Sequence, residues 1–303
     1  MTVAAADGEI WGSSENGQTL FCYNTKTGAV KNTGAVANSG GEVYGIVPLG
    51  GKLFLTAYVG GDHIIYDPAQ PWDQYGNVNP RTLRSVAPLM VRPHAKSVLG
   101  PDGGVWTGWY ANYGSFGGGI SRIDPETCEV SSWFGLIPEQ AIEHIAAGRD
   151  ALFALTSGSA SGMADREDSF HLLKIGVDGA IIKKRQFARG ITLRRLAVVE
   201  GRVYVILGEK AANYCRIDVF DEETLEEITS FPLGEAGILP SDLLPAGNDR
   251  LLLFTLREIL LFSLPDGKIF DRCPSPGLVQ TCTLAPNGTV WFAVRRKLFM
   301  LEM

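Results

Sequence analysis

Arg92, His94, Tyr110 and Tyr113 lie in one short stretch of the chain, with Trp109 between them. An imidazole near neutral pH is a general base, and a phenol can give or take a proton once a cation lowers its pKa. A guanidinium grips a carboxylate through two parallel hydrogen bonds, and aromatic faces suit sugar rings. These are the groups that β-elimination on a uronate requires: a cation on the carboxylate, a base for the proton beside it, and an acid for the departing oxygen. On residue chemistry, His94 is the expected base, Tyr113 or Tyr110 the acid, and Arg92 or Arg195 the carboxylate partner. Tyr44, His63, Trp109, His144 and Asp242 are expected to contact the ligand. Each group also has a plainer explanation. Arg92-Pro93-His94 reads equally as an edge turn entering a strand, Trp109 and Tyr110 as strand aromatics, and a lone histidine is more often structural than catalytic.

Other chemistries find less support. The four histidines follow no metal-ligand spacing, so neither a metal nor any other cofactor can be named. The run GSFGGG at 114–119 resembles a phosphate cradle only in glycine content, because no helix follows it. SGSASG at 157–162 matches a serine-nucleophile pattern loosely and lacks the helix that pattern opens. The charged run 165–168 reads as a solvated loop tip, with a cation site or a lid as the other possibility.

The elements that must position these groups show themselves by repetition. A turn followed by a short apolar strand recurs as DGEIW, GGKLF, DGGVW, RDALF, EGRVY, NDRLLL and NGTVW, beginning near residues 7, 50, 102, 149, 200, 248 and 287. Steps of roughly 40 to 50 residues are those of four-stranded propeller blades. A second series runs in phase: LFCYNTKTG, HIIYDPAQP, GISRIDPET, LLKIGVDG, IDVFDEET and LFSLPDG. Each is a strand closed by turn-forming residues. Helical periodicity is confined to a weak stretch over 138–147. The expected fold is all-β, a seven-bladed β-propeller of four-stranded antiparallel blades filling residues 1–303 as one domain. The last blade shows only three strands, and the first opens on an inner strand at 2–6. Either the ring closes imperfectly or the chain is a piece of a longer one.

In such a blade the inner strand starts at one mouth of the central channel, and the loop between second and third strands returns there. Aligned on their second strands, the blades bring Tyr44, His94, Glu143 or His144, Arg194 or Arg195, Asp242 and Thr281 to equivalent positions. His94 needs a turn two residues longer to fit. The loops TAYVGGDHI, GWYANYGSFGGGI and TSGSASGMADREDSFHL of blades two to four are long, whereas TLREI and VRRKL of blades six and seven are short. Long loops in compact domains carry function or disorder. The mouth is therefore expected to be asymmetric and centred on blade three.

Bulk properties agree. The chain of 303 residues is 45% hydrophobic and 20% charged, with 36 glycines and a net charge of −6. Its acidity argues against a nucleic-acid surface, which needs an excess of Lys and Arg on one face. The most apolar segment, 251–264, is interrupted by Arg257 and Glu258, so no membrane span fits. Five scattered cysteines without CxxC spacing point to reduced thiols, and the start MTVAAADGEIW has no signal-peptide character. The expected setting is cytoplasmic; composition leaves the oligomeric state open.

The strand-DG-strand-YDP-turn pattern resembles the broad group of NHL, YncE-like and lactonase-type seven-bladed propellers over essentially the whole chain. That resemblance implies the fold and leaves activity open, because the group holds both enzymes and interaction modules. More narrowly, RPHAKSVLGPDGGVW and YANYGSFGGGISRIDP look like blades of bacterial carbohydrate-associated propellers. Propeller polysaccharide lyases use His, Tyr and Arg at the channel mouth, which His94, Tyr110 or Tyr113 and Arg92 would match. The paired His and Glu with magnesium of the virginiamycin lyases are not evident. The expectation is binding of an acidic carbohydrate or similar small ligand at the mouth, with eliminative cleavage as its chemistry. The contrasting expectation is a non-catalytic scaffold for a protein partner. A calcium-dependent lactonase ranks lower, since Glu143 and Asp242 are the inner-strand carboxylates available to it.

Overall fold

A computed structural model describes residues 2–303 except Glu15, Ala95, 210–213, 236–240 and Asn248, so the start of the sixth turn signal lies outside the described residues. Seven antiparallel sheets form a ring of blades, each blade winding outward from the channel in chain order. The inner strands are Thr2–Ala6, Val43–Leu49, Val98–Leu99, Ala141–Ala147, Ile191–Val199, Asp242–Pro245 and Thr281–Leu284. Middle strands such as Leu152–Ser157 and Val105–Ala111 are buried along their whole length because blades cover both faces. Outer strands such as Lys268–Pro274 face water.

The core is correspondingly split into clusters between successive blades. Trp11, Leu20, Leu55 and Ile64 join blades one and two, and Phe153, Leu172, Val205 and Phe220 join blades four and five. Each blade buries one face on each neighbour, which is the packing the repeat spacing requires.

Blade seven consists of Thr281–Leu284, Val290–Val294 and Lys297–Leu301 among the described residues. The ring closes by packing there. Val3, Ile10, Trp291 and Ala293 form one cluster, and Tyr23 lies 5.5 Å from Trp291. The amides of Val3 and Ala5 donate to the hydroxyls of Thr281 and Thr283 at 3.3 Å each. Trp291→Ala is therefore expected to cost about 3 kcal/mol and to lower the thermal midpoint by roughly 5 °C. A midpoint moved by less than about 1 °C would show that closure rests elsewhere.

The weak helical period over 138–147 is corrected: Ala141–Ala147 is the inner strand of blade four. Its pairing slips by one residue between Ile142 and His144. The inserted Glu143 places the buried Ile142 and Ile145 three apart, a spacing that imitates a helix. The blade-two loop is also shorter than its glycines imply, because its strands extend to Ala57 and Asp62 and leave only residues 58–61 between them. The blade-four loop, residues 158–170, is long as expected.

Candidate functional site

Bulges shape the mouth. The inner strands of blades two, four and five each slip by one residue at the same level, around Tyr44, Glu143 and Arg194. A bulge places two consecutive side chains where regular pleating allows one. Both members of the pairs Glu143–His144 and Arg194–Arg195 consequently reach cavities at this end of the ring. Blade three departs further. Arg92 pairs with Tyr110 and Val98 with Trp106, six steps along the inner chain against four along its partner. Those two extra residues are the longer turn that His94 needed. The inner strands of blades one, six and seven pair in regular register.

Gly45, just after the blade-two bulge, is required by close approach. A Cβ there would collide with the hydroxyls of Ser97 and Thr56. Those hydroxyls tie blade two to blade three, Thr56 to Ser97 at 3.0 Å and Ser97 to Thr107 at 2.7 Å.

The mouth opens on a chamber of about 400 Å³ to which every blade contributes: Thr2, Tyr44, Lys96, His144, Arg195, Asp242 and Thr281, with His94 and Glu143 beside them. Below it lies a second space of about 390 Å³, lined largely by apolar side chains such as Ile46, Ile145, Leu196 and Leu243. Lys96, His144 and Asp242 border both spaces and form the floor between them. Lys96 Nζ donates to the buried Asp242 carboxylate, which also accepts from the Cys282 thiol at 3.1 Å. Burial alone would push Asp242 upward, but Lys96, and then Arg195, hold it down at about 2. Burial would lower Lys96, yet Asp242 overcomes that and keeps it an ammonium. Cys282 stays a thiol, pushed well up by burial and by the Asp242 charge. All five cysteines are free.

The two histidines of the chamber are uncharged at neutral pH. Burial, reinforced by the Arg195 charge, lowers His144 to about 3, and its buried Nδ1 has no hydrogen-bond partner among the described residues. Burial also lowers His94, against the pull of Glu143. Its ring stacks on Tyr110 with centroids 4.3 Å apart, its Nδ1 lies 3.8 Å from Glu143 Oε1, and 32% of the side chain remains exposed. Glu143 is held from two sides: Tyr110 donates its hydroxyl to Oε2 at 2.5 Å, and Arg195 Nη1 lies 3.8 Å from Oε1. Arg195 is fixed in turn through Nε to the Ser241 carbonyl at 2.9 Å and Nη1 to the Arg194 carbonyl at 2.7 Å. The arrangement is a partly exposed imidazole with a carboxylate behind it and a guanidinium alongside.

Several sequence candidates stand elsewhere. His63 is wholly buried, with Nδ1 against the Arg84 carbonyl at 2.8 Å and Nε2 against Ser121 Oγ at 2.7 Å. Burial lowers it to about 4. Trp109 is equally buried and donates to the same Ser121 hydroxyl at 2.7 Å. Their rings pack against each other with centroids 5.2 Å apart, and neither residue lines the chamber. Tyr110 is nearly buried and committed to Glu143; burial and the Glu143 charge raise its phenol well above the ordinary value. Its hydroxyl holds Glu143, and Tyr110 itself does not line the chamber.

Arg92 and Tyr113 do not line the chamber. They form a rim cluster with Tyr58 and Tyr44. Arg92 lies 4.8 Å over the Tyr58 ring, and the Tyr58 and Tyr113 hydroxyls share a hydrogen bond. Tyr58 is pushed up to about 12, first by that hydrogen bond and then by burial. Tyr44 borders both cluster and chamber, and burial raises it against the nearby Arg92. Lys96 and Tyr58 were missed from the sequence. For Lys96 a signal was available, since it follows His94 by two residues in the segment that the longer turn pushes toward the mouth. Among the described residues no three His, Cys, Asp or Glu side chains converge as a metal site, and no helix is long and apolar enough to cross a membrane.

Comparison with known proteins finds the fold only. No family model matches the chain, and no curated protein matches its sequence. Among solved structures, hydrazine synthase of Kuenenia stuttgartiensis superposes with a TM-score of 0.74 at 11% identity, covering 100% of this chain and 95% of that one. A catalytically inactive virginiamycin B lyase from Staphylococcus aureus, solved with quinupristin, gives 0.69 at 15% identity over 99% and 92%. The Cps50 (Swd1) propeller domain of Myceliophteria thermophila gives 0.67 at 13% identity over 100% and 96%. At these identities the likeness extends to the seven-bladed ring and stops there.

Proposed function

We propose that the chamber binds a small carboxylate-bearing ligand, an acidic carbohydrate by preference, and that elimination beside the carboxylate is the reaction its groups fit. The observation that carries this is His94: an uncharged, partly exposed imidazole backed by Glu143, with Arg195 fixed next to the same carboxylate. Arg195 would neutralise the ligand carboxylate and so acidify the carbon-bound proton beside it. His94 would take that proton, leaving its electron pair on the carbon beside the neutralised carboxylate. That pair becomes the carbon–carbon double bond as the carbon–oxygen bond breaks, and the departing oxygen takes a proton from a phenol. Tyr44, which lines the chamber, is better placed for that step than Tyr110, and Tyr113 could serve it only from the rim cluster. One structural neighbour is a lyase, so the scaffold accommodates that reaction class.

The test is calorimetric titration with galacturonate and mannuronate oligomers, alongside ultraviolet absorbance for unsaturated products. Arg195→Ala is expected to weaken binding by about 2 kcal/mol, roughly thirtyfold, as loss of a charge-assisted contact. Absence of heat on every uronate would remove the proposal. Binding without absorbance change would leave a binding propeller without the eliminative step.

One observation favours a second role. Residues 67–80 of blade two, none of which lines the chamber, expose Trp72, Val78 and Tyr75, the last at 96%. Exposed aromatics of this kind suit a protein partner, and the neighbours include Swd1 and the mitotic checkpoint complex. The two roles use different residues, so Tyr75→Ala should leave ligand binding untouched.

A further inference from the structure

A second cavity, of about 620 Å³, lies between blades four and five and shares Glu143 and Arg195 with the wall of the chamber. It is a built groove. Its outer wall is the 158–170 loop, pinned where the Arg166 amide donates to the Gly158 carbonyl at 3.0 Å. The Arg166 side chain donates to Glu139 at 2.9 Å and lies 4.6 Å over the Phe116 ring. Its floor is kept low by glycine: a Cβ on Gly208 would stand 2.7 Å from Thr192 Oγ1 and 3.2 Å from Arg194 Nε. The bulge that sends Arg195 to the chamber sends Arg194 here, and Arg194 Nε is buried with no hydrogen-bond partner among the described residues. A buried, unsatisfied guanidinium N–H costs free energy until an acceptor meets it. The groove is also rich in hydroxyls, from Ser157, Ser159 and Thr192.

We infer that the ligand is an oligomer, with its carboxylate-bearing unit in the chamber and the adjoining unit in this groove, where the Arg194 guanidinium donates to one of its oxygens. The inference rests on the chamber being the carboxylate site. Three features set the ligand class: a polar trough with backbone close on one side, hydroxyls and carboxylates along it (Asp165, Asp168 and Glu209 among them) that suit sugar hydroxyls, and the Arg194 guanidinium as donor to an oxygen. A polyhydroxylated unit meets all three, whereas an apolar group would leave Arg194 unsatisfied. Each cavity lies within the usual size range for small-ligand sites, so each has room for one unit.

Calorimetric titration of the full chain with galacturonate, digalacturonate and trigalacturonate tests it, using Arg194→Leu to remove the donor and Asp165→Trp to fill the groove from its loop wall. Digalacturonate is expected to bind wild type about tenfold more tightly than galacturonate, the worth of one hydrogen bond to a charged donor. In both variants the monomer should bind as in wild type while the dimer loses its advantage. Equal affinity for monomer and dimer in wild type would overturn the groove and leave the chamber standing. A dimer advantage that survives both variants would also overturn it, placing the second unit elsewhere. No binding at any length would remove the chamber proposal and this inference together.

Discussion

Acidification from pH 7 to pH 4 should strip several kcal/mol from the stability of this protein, much of it above pH 5, where ordinary carboxylates are still ionised. The cause is two buried, uncharged imidazoles. An exposed histidine in the unfolded chain titrates at about 6.5. In the folded protein, burial holds His63 at about 4 and, with the Arg195 charge, His144 at about 3. Each depressed value means that the unfolded state binds the proton first. Their full contribution is present above the unfolded value and is lost as pH falls through the folded one. Between pH 6.5 and 4 the loss is on the order of 3 kcal/mol for each group. Asp242 acts in a separate window: held at about 2, its contribution disappears only as pH falls below the ordinary carboxylate range. Denaturant midpoints at pH 7, 5.5 and 4 for wild type, His144→Gln and His63→Gln separate these effects. Both variants should be less stable at pH 7 yet show a flatter pH dependence. An unchanged slope in both would sink the explanation.

Replacing His94 by Ala should lower elimination on uronate oligomers by about 10² to 10⁴, the usual worth of a positioned general base. The pH profile carries further information. Because burial lowers His94 despite Glu143, the base stays uncharged below the ordinary histidine value. The acid limb of the rate should therefore lie below about pH 6.5. Tyr110→Phe removes the hydroxyl from Glu143 and acts only through it, so it should move that acid limb more than it lowers substrate affinity. Wild-type rates that His94→Ala leaves intact would remove His94 as base and turn attention to His144, the other uncharged imidazole of the chamber.

Much of the fold was legible because it repeats. A turn residue and a short apolar strand recurring seven times leave little besides a ring of blades, and the three-stranded seventh blade was readable from the same count. The position of the mouth was also legible. Of the positions aligned on the second strands (Tyr44, His94, Glu143 or His144, Arg194 or Arg195, Asp242 and Thr281), all but Arg194 line one chamber. The outcome differed for residues judged by chemistry or loop proximity. His63 and Trp109 share a hydroxyl inside the core, and Arg92 and Tyr113 gather with Tyr58 at the rim.

The amino-acid order alone determined the number of blades, the strand-and-turn phasing, and which level of each inner strand meets the channel mouth. All of these follow from period-two alternation and turn chemistry, which are local. The tertiary structure alone decided which way each side chain points at that level. One inserted residue in a strand reverses the facing of its neighbours. Such insertions around Tyr44, Glu143 and Arg194 show only in the pairing with the next strand. Partnership was decided the same way: Lys96 meets Asp242 across the channel from a blade 146 residues distant in sequence. No local pattern encodes a contact that exists only once the ring has closed.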